Sequence, residues 1–484
     1  MLMLISVLFP ILSGFALLLS GTEDRHRREV WVIATAVFTA GLAIAAVLTG
    51  YGTKTVLVRF TQTVALTFGA DGLGSVFAAM VSVLWVIASF YALEYMKHEG
   101  AETRFFGFFL ASFGVTLGVA FSANIVTMYL FYELLTLATL PLVMHAMNGK
   151  ARYAGKTYIL YSMTGAGLGF VSMIFLQYYG GGDFTLGGTL DMNAIAGSEN
   201  TMLLFFVLGF FGFGVKAAIF PFHGWLLDAS VAPTPVTALL HAVAVVKSGV
   251  FAVMRLTYYS FHYEAIFGTW AQVIVVCAAA FTVVYGSANG LRTPHFKRRL
   301  AYSTVSNLSY ILVGVAMMTP AGLVAGVAHM LFHAVNKITL FFGCGAVYYR
   351  THKEYVYELA YIGKEMPVTM ATFAATALSL MGVPPLCGFT SKWMLGTAAM
   401  GTGLTVGWIG AGALIISALL TALYLMSILF AVYAPGEKPI HAENKDPNWL
   451  MKGPLVALAC LCVAVSLFAH PLLELVSQLL GVLL

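Results

Sequence analysis

Four lysines and one glutamate stand where ionised side chains are costly. Lys216 (GFGVKAAIF), Lys247 (AVAVVKSGVF), Lys337 (HAVNKITLFF) and Lys392 (GFTSKWML) fall in long apolar runs, and Glu133 falls in LFYELLTLATLPLV. Each such charge at mid-bilayer costs roughly 2.5–3.5 kcal/mol on insertion scales. The four lysines together cost about 10–14 kcal/mol, comparable to the net stability of a domain. Snorkelling of the long stem explains a lysine near a helix end. It explains Lys216, Lys247 and Lys337 poorly, because their neighbours are apolar for more than a turn on either side. Intramembrane charges that persist line a polar path or pair with one another. The chemistry open to such groups is uptake and release of a proton.

Histidines extend the set. His329, His333 and Lys337 are spaced four apart in AHMLFHAVNKITLFF. At 100° per residue each step drifts about 40°, so the three make one titratable stripe on a helix face. A lone membrane histidine reads as a satisfied core residue; a His–His–Lys ladder reads as a proton or ion path. His241 and Lys247 are six apart, about 120° around a continuous helix, so a shared face is not implied. Two lysines adjoin helix breaks. Pro221 displaces the carbonyl of Ala217, next to Lys216, and Pro384 and Pro385, with Gly388 beyond, interrupt the run before Lys392. Broken helices at membrane depth are tolerated where they line a cavity or are buried in protein.

The elements that hold these residues are membrane helices. The 484 residues are 60% hydrophobic and 9% charged, against about a quarter charged in a soluble domain. Fourteen apolar spans are expected, near 2–20, 29–49, 72–97, 105–121, 124–147, 155–178, 200–222, 235–258, 265–287, 299–318, 322–348, 367–401, 407–433 and 453–480. The span 367–401 would be about 52 Å long if straight, too long for one crossing without a break or tilt. Residues 2–20 lack a basic flank and a small-residue cleavage site, which makes them a first span rather than a signal peptide. With the N-terminus outside, 18 of the 25 basic residues lie on the inner side, around Arg25–Arg28, Lys97–Arg104, Lys150–Lys156, Arg292–Arg299, Arg350–Lys364 and Lys438–Lys452. Only Lys54, Arg59 and, at a helix end, Arg255 lie outside. The positive-inside rule therefore selects N-out, C-out, and even span parity agrees.

Other signals are set aside. The five cysteines lie within spans and form no CxxC, so neither a disulfide framework nor a metal or iron–sulfur site is expected. GFFGFGVKA lacks the Gly-Lys-Ser/Thr order of a phosphate loop and, like GAGLGFVSM, reads as small-residue helix packing. The acceptor-like Asn307-Leu308-Ser309 falls in a span, and the loop 179–199 carries acids without basic residues. The aromatics read as lipid-facing or interfacial, with no haem or flavin pocket. Nothing suggests nucleic-acid binding.

The stretch KAAIFPFHGWLLDASVAPTPVTALLHAVAVVKSGVF resembles the signature of the antiporter-like subunits shared by respiratory complex I, Mrp-type cation/proton antiporters and membrane-bound hydrogenases. ADGLGSVF from Ala70, FYELLTLATLPLV at Glu133, KRRLAYSTVSNLSYILVG from Lys297, HMLFHAVNKITLFFGCGAV from His329 and GVPPLCGFTSKWML around Lys392 extend the match through nearly the whole chain. The resemblance implies an all-α polytopic membrane protein of about fourteen helices: N-terminal helices in 1–104, inverted five-helix repeats in 105–258 and 265–433, each with a broken helix, and a last helix in 453–480. It implies that Glu133 pairs with Lys216 and that Lys247, with His241, passes charge inward. His329, His333 and Lys337 continue the axis, and Lys392 ends it, where some complex I-like members carry glutamate. A contact ion pair at an effective dielectric constant near 20 is worth about 4 kcal/mol, enough to move one proton. The chain stops at Leu484 and so resembles the shorter Mrp and hydrogenase-type members, without a lateral arm.

The leading reading is a proton-translocating, or Na⁺/H⁺-exchanging, subunit without a cofactor of its own. It would sit in a bacterial or archaeal cell membrane beside other membrane subunits, further antiporter-like ones among them. A cytoplasmic redox module of hydrogenase, ferredoxin or NADH/quinone oxidoreductase type would complete the complex. The competing readings are a stand-alone secondary transporter and a membrane anchor for a cytoplasmic enzyme.

Overall fold

The computed structural model describes residues 1–61, 64–180, 182–434 and 445–482; Lys438 and Leu484 lie outside them. Lipid offers no hydrogen bonds to a bare backbone, so apolar runs must satisfy their own amides, and all fourteen expected segments are helical. Among the described residues, eleven helices are long and apolar enough to cross a membrane. The other three segments differ for identifiable reasons. Phe296–Ala316 carries Ser303, Thr304, Ser306, Asn307 and Ser309 and is less apolar, and the remaining two are broken. Side-chain caps start many of the helices. Asp24, Asp71, Asn124, Asn148 and Thr319 each accept from backbone N–H groups of the following turn.

The Thr234–Ser260 and Pro320–Thr351 segments form the centre and are buried almost throughout, while Leu2–Ser20 and Trp449–Leu467 at the rim are buried over only about a third of their length. Many aromatics expected at the lipid surface are instead packed inside, including Trp85, Tyr91, Tyr132, Tyr158, Trp225 and Tyr310. Backbone carbonyls satisfy some of the buried polar tips: Tyr132 donates to Phe213 (3.0 Å) and Trp225 to Val215 (2.8 Å), while Trp85 Nε1 has no partner among the described residues.

The loops sort into two sets. A β-hairpin, β1 (Lys54–Arg59) and β2 (Ala65–Gly69), bonds to the loop at 121–124, which bonds in turn to residues 182–184. Residues 185–189 bond to 258–260, and Tyr51 donates to the Leu479 carbonyl. On the other set, Arg28 pairs with Glu102 at 2.6 Å and Arg104 donates to the His145 carbonyl. Phe296 N–H donates to Glu354, Tyr361 N–H to Ala434, and Lys445 N–H to Glu365. Among the described residues, the bonds of the expected inner basic loops thus run to one another and not to the hairpin set.

Candidate functional site

The first broken helix runs Glu199–Gly214, unwinds, and resumes at Gly224–Ala229. The unwinding begins at Gly214, seven residues before Pro221, and Ala218 adopts a left-handed φ of 56°. Lys216 therefore lies in the break itself rather than in helix beside it, which corrects the expectation drawn from Pro221: the chain has already left helical geometry where the proline ring would clash. The second break is where expected. Pro367–Met381 ends at Gly382 with φ 93°, Pro384 and Pro385 follow, and Cys387–Gly401 resumes the path.

Lys216, 1% exposed, lies 3.4 Å from Glu133 Oε1, donates to the Tyr132 carbonyl and sits 3.4 Å above the Tyr132 ring. An unwound segment leaves the ammonium free to approach a neighbouring helix, here Ile125–Val143. The Val245–Arg255 helix packs hard against this break: a Cβ added at Gly249 would lie 2.7 Å from the Lys216 carbonyl carbon. That helix carries Lys247. A third interruption, at Val243–Ala244, separates it from Thr234–Ala242, so His241 and Lys247 are on different helical pieces and the angle expected for one continuous helix does not apply. No proline or glycine marks that interruption. His241 is fully buried against Phe341, ring centroids 4.8 Å apart, with both ring nitrogens unpartnered among the described residues.

Lys247 Nζ meets His333 Nδ1 at 2.5 Å, joining the two halves of the chain. An ammonium has no acceptor, so the contact needs one proton shared by two nitrogens: Lys247 donates to a neutral His333, or a protonated His333 donates to a neutral amine. His333 stacks on His329 at 6.0 Å, and His329 Nδ1 bonds Ser391 Oγ at 2.9 Å. On its other side His329 stacks on Tyr310 (5.3 Å), whose ring lies 5.4 Å from Lys392 Nζ. Lys392 donates to the carbonyls of Leu380 (2.7 Å) and Met381 (3.0 Å), capping the half-helix that ends there; a cation at a helix C-terminus meets the negative end of its dipole. Lys337 donates to Ser303. No carboxylate lies within 4 Å of Lys247, Lys337 or Lys392 among the described residues, in contrast to Lys216.

Each predicted proton-path residue except His241 has a polar contact, but among the described residues no hydrogen bond links the Glu133–Lys216 pair to Lys247, or Lys337 to Lys247 or His333. The connectors Ser303, Tyr310 and Ser391 were not expected, because hydroxyls and rings in apolar runs are indistinguishable in sequence from packing residues. Arg255, expected at an outer helix end, is instead fully buried and bidentate with Asp71. Asp71 reads in sequence as the N-cap of the helix that starts at Gly72, which gives no pointer to Arg255.

Two interrupted membrane helices with a lysine at each, bridged by a buried Lys–His–His series, define the antiporter-like class of membrane subunit. The chain belongs to the family described as NADH:quinone oxidoreductase/Mrp antiporter, whose profile matches residues 122–421. It is 30% identical over 417 residues to a probable K(+)/H(+) antiporter A/B subunit of Rhizobium meliloti (strain 1021), covering 82% of this chain and 40% of that protein. It is also 30% identical over 386 residues to NADH-quinone oxidoreductase subunit N of Desulforudis audaxviator (strain MP104C), covering 78% and 74%. The fold matches a chain of the Mrp complex from Dietzia sp. DQ12-45-1b with a TM-score of 0.84 at 21% identity, over 99% of this chain and 97% of that one. A chain of the membrane-bound sulfane sulfur reductase, an archaeal respiratory membrane complex, matches to the same extent.

Proposed function

We propose that this chain is a proton-translocating subunit of a multisubunit ion-pumping membrane complex. The observation that carries the reading is Lys216, buried in an unwound segment within 3.4 Å of Glu133. Movement of either partner changes the balance between burial, which disfavours the ammonium, and the carboxylate, which favours it. A proton released there moves to Lys247 and His333, then through His329 and Ser391 towards Lys392, with His241 and Lys337 as flanking sites.

The breaks at 215–223 and 382–386 fall in the fourth helix of 105–258 and of 265–433, which supports reading these as two repeats. The basic loop set is assigned to the cytoplasmic side of a cell membrane by the positive-inside rule, with both termini outside. Further antiporter-like subunits are the proposed neighbours, and a cytoplasmic redox module or an existing ion gradient supplies the driving force. In inverted vesicles holding the complete complex, Lys216→Ala should abolish proton uptake while partner subunits stay bound; sodium uptake followed in parallel tells exchange from pumping. Unchanged proton uptake in the variant would overturn the reading.

A further inference from the structure

Lys247, Phe251 and Arg255 are spaced four apart on one helix and so run along one stripe. At its hairpin end the guanidinium of Arg255, fully buried, donates to both carboxylate oxygens of Asp71, at 2.6 Å for Nη2 and Oδ1. The rings of Phe184, Phe251 and Tyr259 surround it, centroids 4.7–5.0 Å from Cζ, and its Nε has no protein partner among the described residues. Gly74 beside the pair is crowded: a Cβ there would lie 2.4 Å from the Ala120 carbonyl oxygen and 3.2 Å from Nη2. Asp71, by contrast, has 39% of its side chain exposed and lines a cavity of about 60 Å³ with Ser122 and Phe184, beneath the hairpin. That is room for at least one water. Between this pair and Lys247, Phe251 stacks on Phe77 with centroids 4.8 Å apart and planes at 25°.

We propose that Asp71 and Arg255 form the mouth of a second proton outlet, leading from Lys247 to the hairpin face, and that the Phe77–Phe251 pair is its plug. The proposal rests on the translocation reading above. A guanidinium keeps its proton in any protein setting, so Arg255 holds the carboxylate in place and only Asp71 exchanges protons. With the rings stacked, no hydrogen bond among the described residues joins Lys247 to Asp71. When they part, water enters the gap. The Lys247 ammonium then gives its proton to that water and becomes an amine, the water passes a proton to the Asp71 carboxylate, and the carboxylic acid releases it to the hairpin side and returns to the anion. A buried guanidinium must be compensated by its partner. Pairing it with a carboxylate open to water on one side fixes that carboxylate where both inside and outside reach it.

The test uses the complete complex in proteoliposomes, with passive proton leak read against an imposed pH step. Removing one ring of an offset-stacked pair raises the open population about tenfold, and Phe77→Ala should raise the leak by that factor. Phe251→Leu, which keeps most of the volume, should raise it less and serves if the first variant fails to assemble. Adding Asp71→Asn to either should return the leak to the wild-type level, and Asp71→Glu should preserve it. Proton-tight plug variants in an assembled complex, or a leak that survives Asp71→Asn, would overturn the outlet. The result for Lys216→Ala is independent: pumping lost in that variant, with tight plug variants, removes the outlet and leaves the translocation reading standing.

Discussion

Gly249→Ala should impair transport far more than folding. A Cβ at position 249 would lie 2.5 Å from Ala217 N, 2.7 Å from the Lys216 carbonyl carbon and 3.1 Å from Lys216 Cβ. Ordinary contact is about 3.5–4.0 Å, so the helix and the break must part by about 1 Å. Both close atoms are backbone and cannot swing away as a side-chain tip can. Overpacking of this kind costs about 1–3 kcal/mol, and the better helix propensity of alanine returns up to about 1 kcal/mol. The net cost leaves the fold intact. Function is less tolerant, because Lys216 is already 3.4 Å from Glu133, and a 1 Å displacement of a reacting group costs about 10²-fold. Inverted vesicles with the complete complex, proton uptake normalised to partner-subunit content, give the measurement. Gly41→Ala is the control, since nothing lies within 4 Å of a Cβ there. Wild-type uptake in Gly249→Ala would refute the claim that the Lys247 helix fixes the position of Lys216.

Further outcomes follow from the same geometry. Glu133→Gln keeps the shape and removes the charge. The full Coulomb energy at 3.4 Å is about 5 kcal/mol at an effective dielectric constant of 20, and solvent at the 27% exposed Glu133 reduces it to about 2 kcal/mol. Proton uptake should slow more than about tenfold with assembly unchanged, and a smaller effect would show that the pair does not set the proton balance of Lys216. Ser391→Ala leaves His329 Nδ1 without its 2.9 Å partner, a loss of about 1–3 kcal/mol. Uptake should fall and Ser391→Thr should restore it; equal rates in all three would exclude Ser391 from the path. Partial removal from water opposes the half-exposed Asp71 carboxylate, but the charge and hydrogen bonds of Arg255 outweigh it and hold the carboxyl below its usual range. A depressed folded value contributes stability above the unfolded value near 3.9 that is lost only as pH falls through the lower one. The stabilising difference between wild type and Asp71→Asn, followed by thermal melting of the complex, should therefore stay constant from about pH 7 to pH 5, and a difference that shrinks over that range would contradict the assignment.

What the sequence determined by itself is the set of costs. Apolar runs near twenty residues must become helices in lipid, so the helical segments were legible from composition, and ionised side chains within them announced themselves by their expense. The break at Pro384–Pro385 was legible because proline removes a donor and clashes with the preceding turn. Spacing by four placed His329 and His333 together, and their rings do stack. Tertiary structure decided the rest. The unwinding at Gly214 puts Lys216 against Glu133, and the interruption at Val243–Ala244 separates Lys247 from His241, yet no proline stands at the start of the one or within the other. Lys247 meets His333 across 86 positions of sequence, and Arg255 meets Asp71 across 184. Sequence periodicity reports which face of a helix is apolar. In a protein whose central helices are buried on every side that signal vanishes, and only the packing of one helix on another chooses which charge meets which.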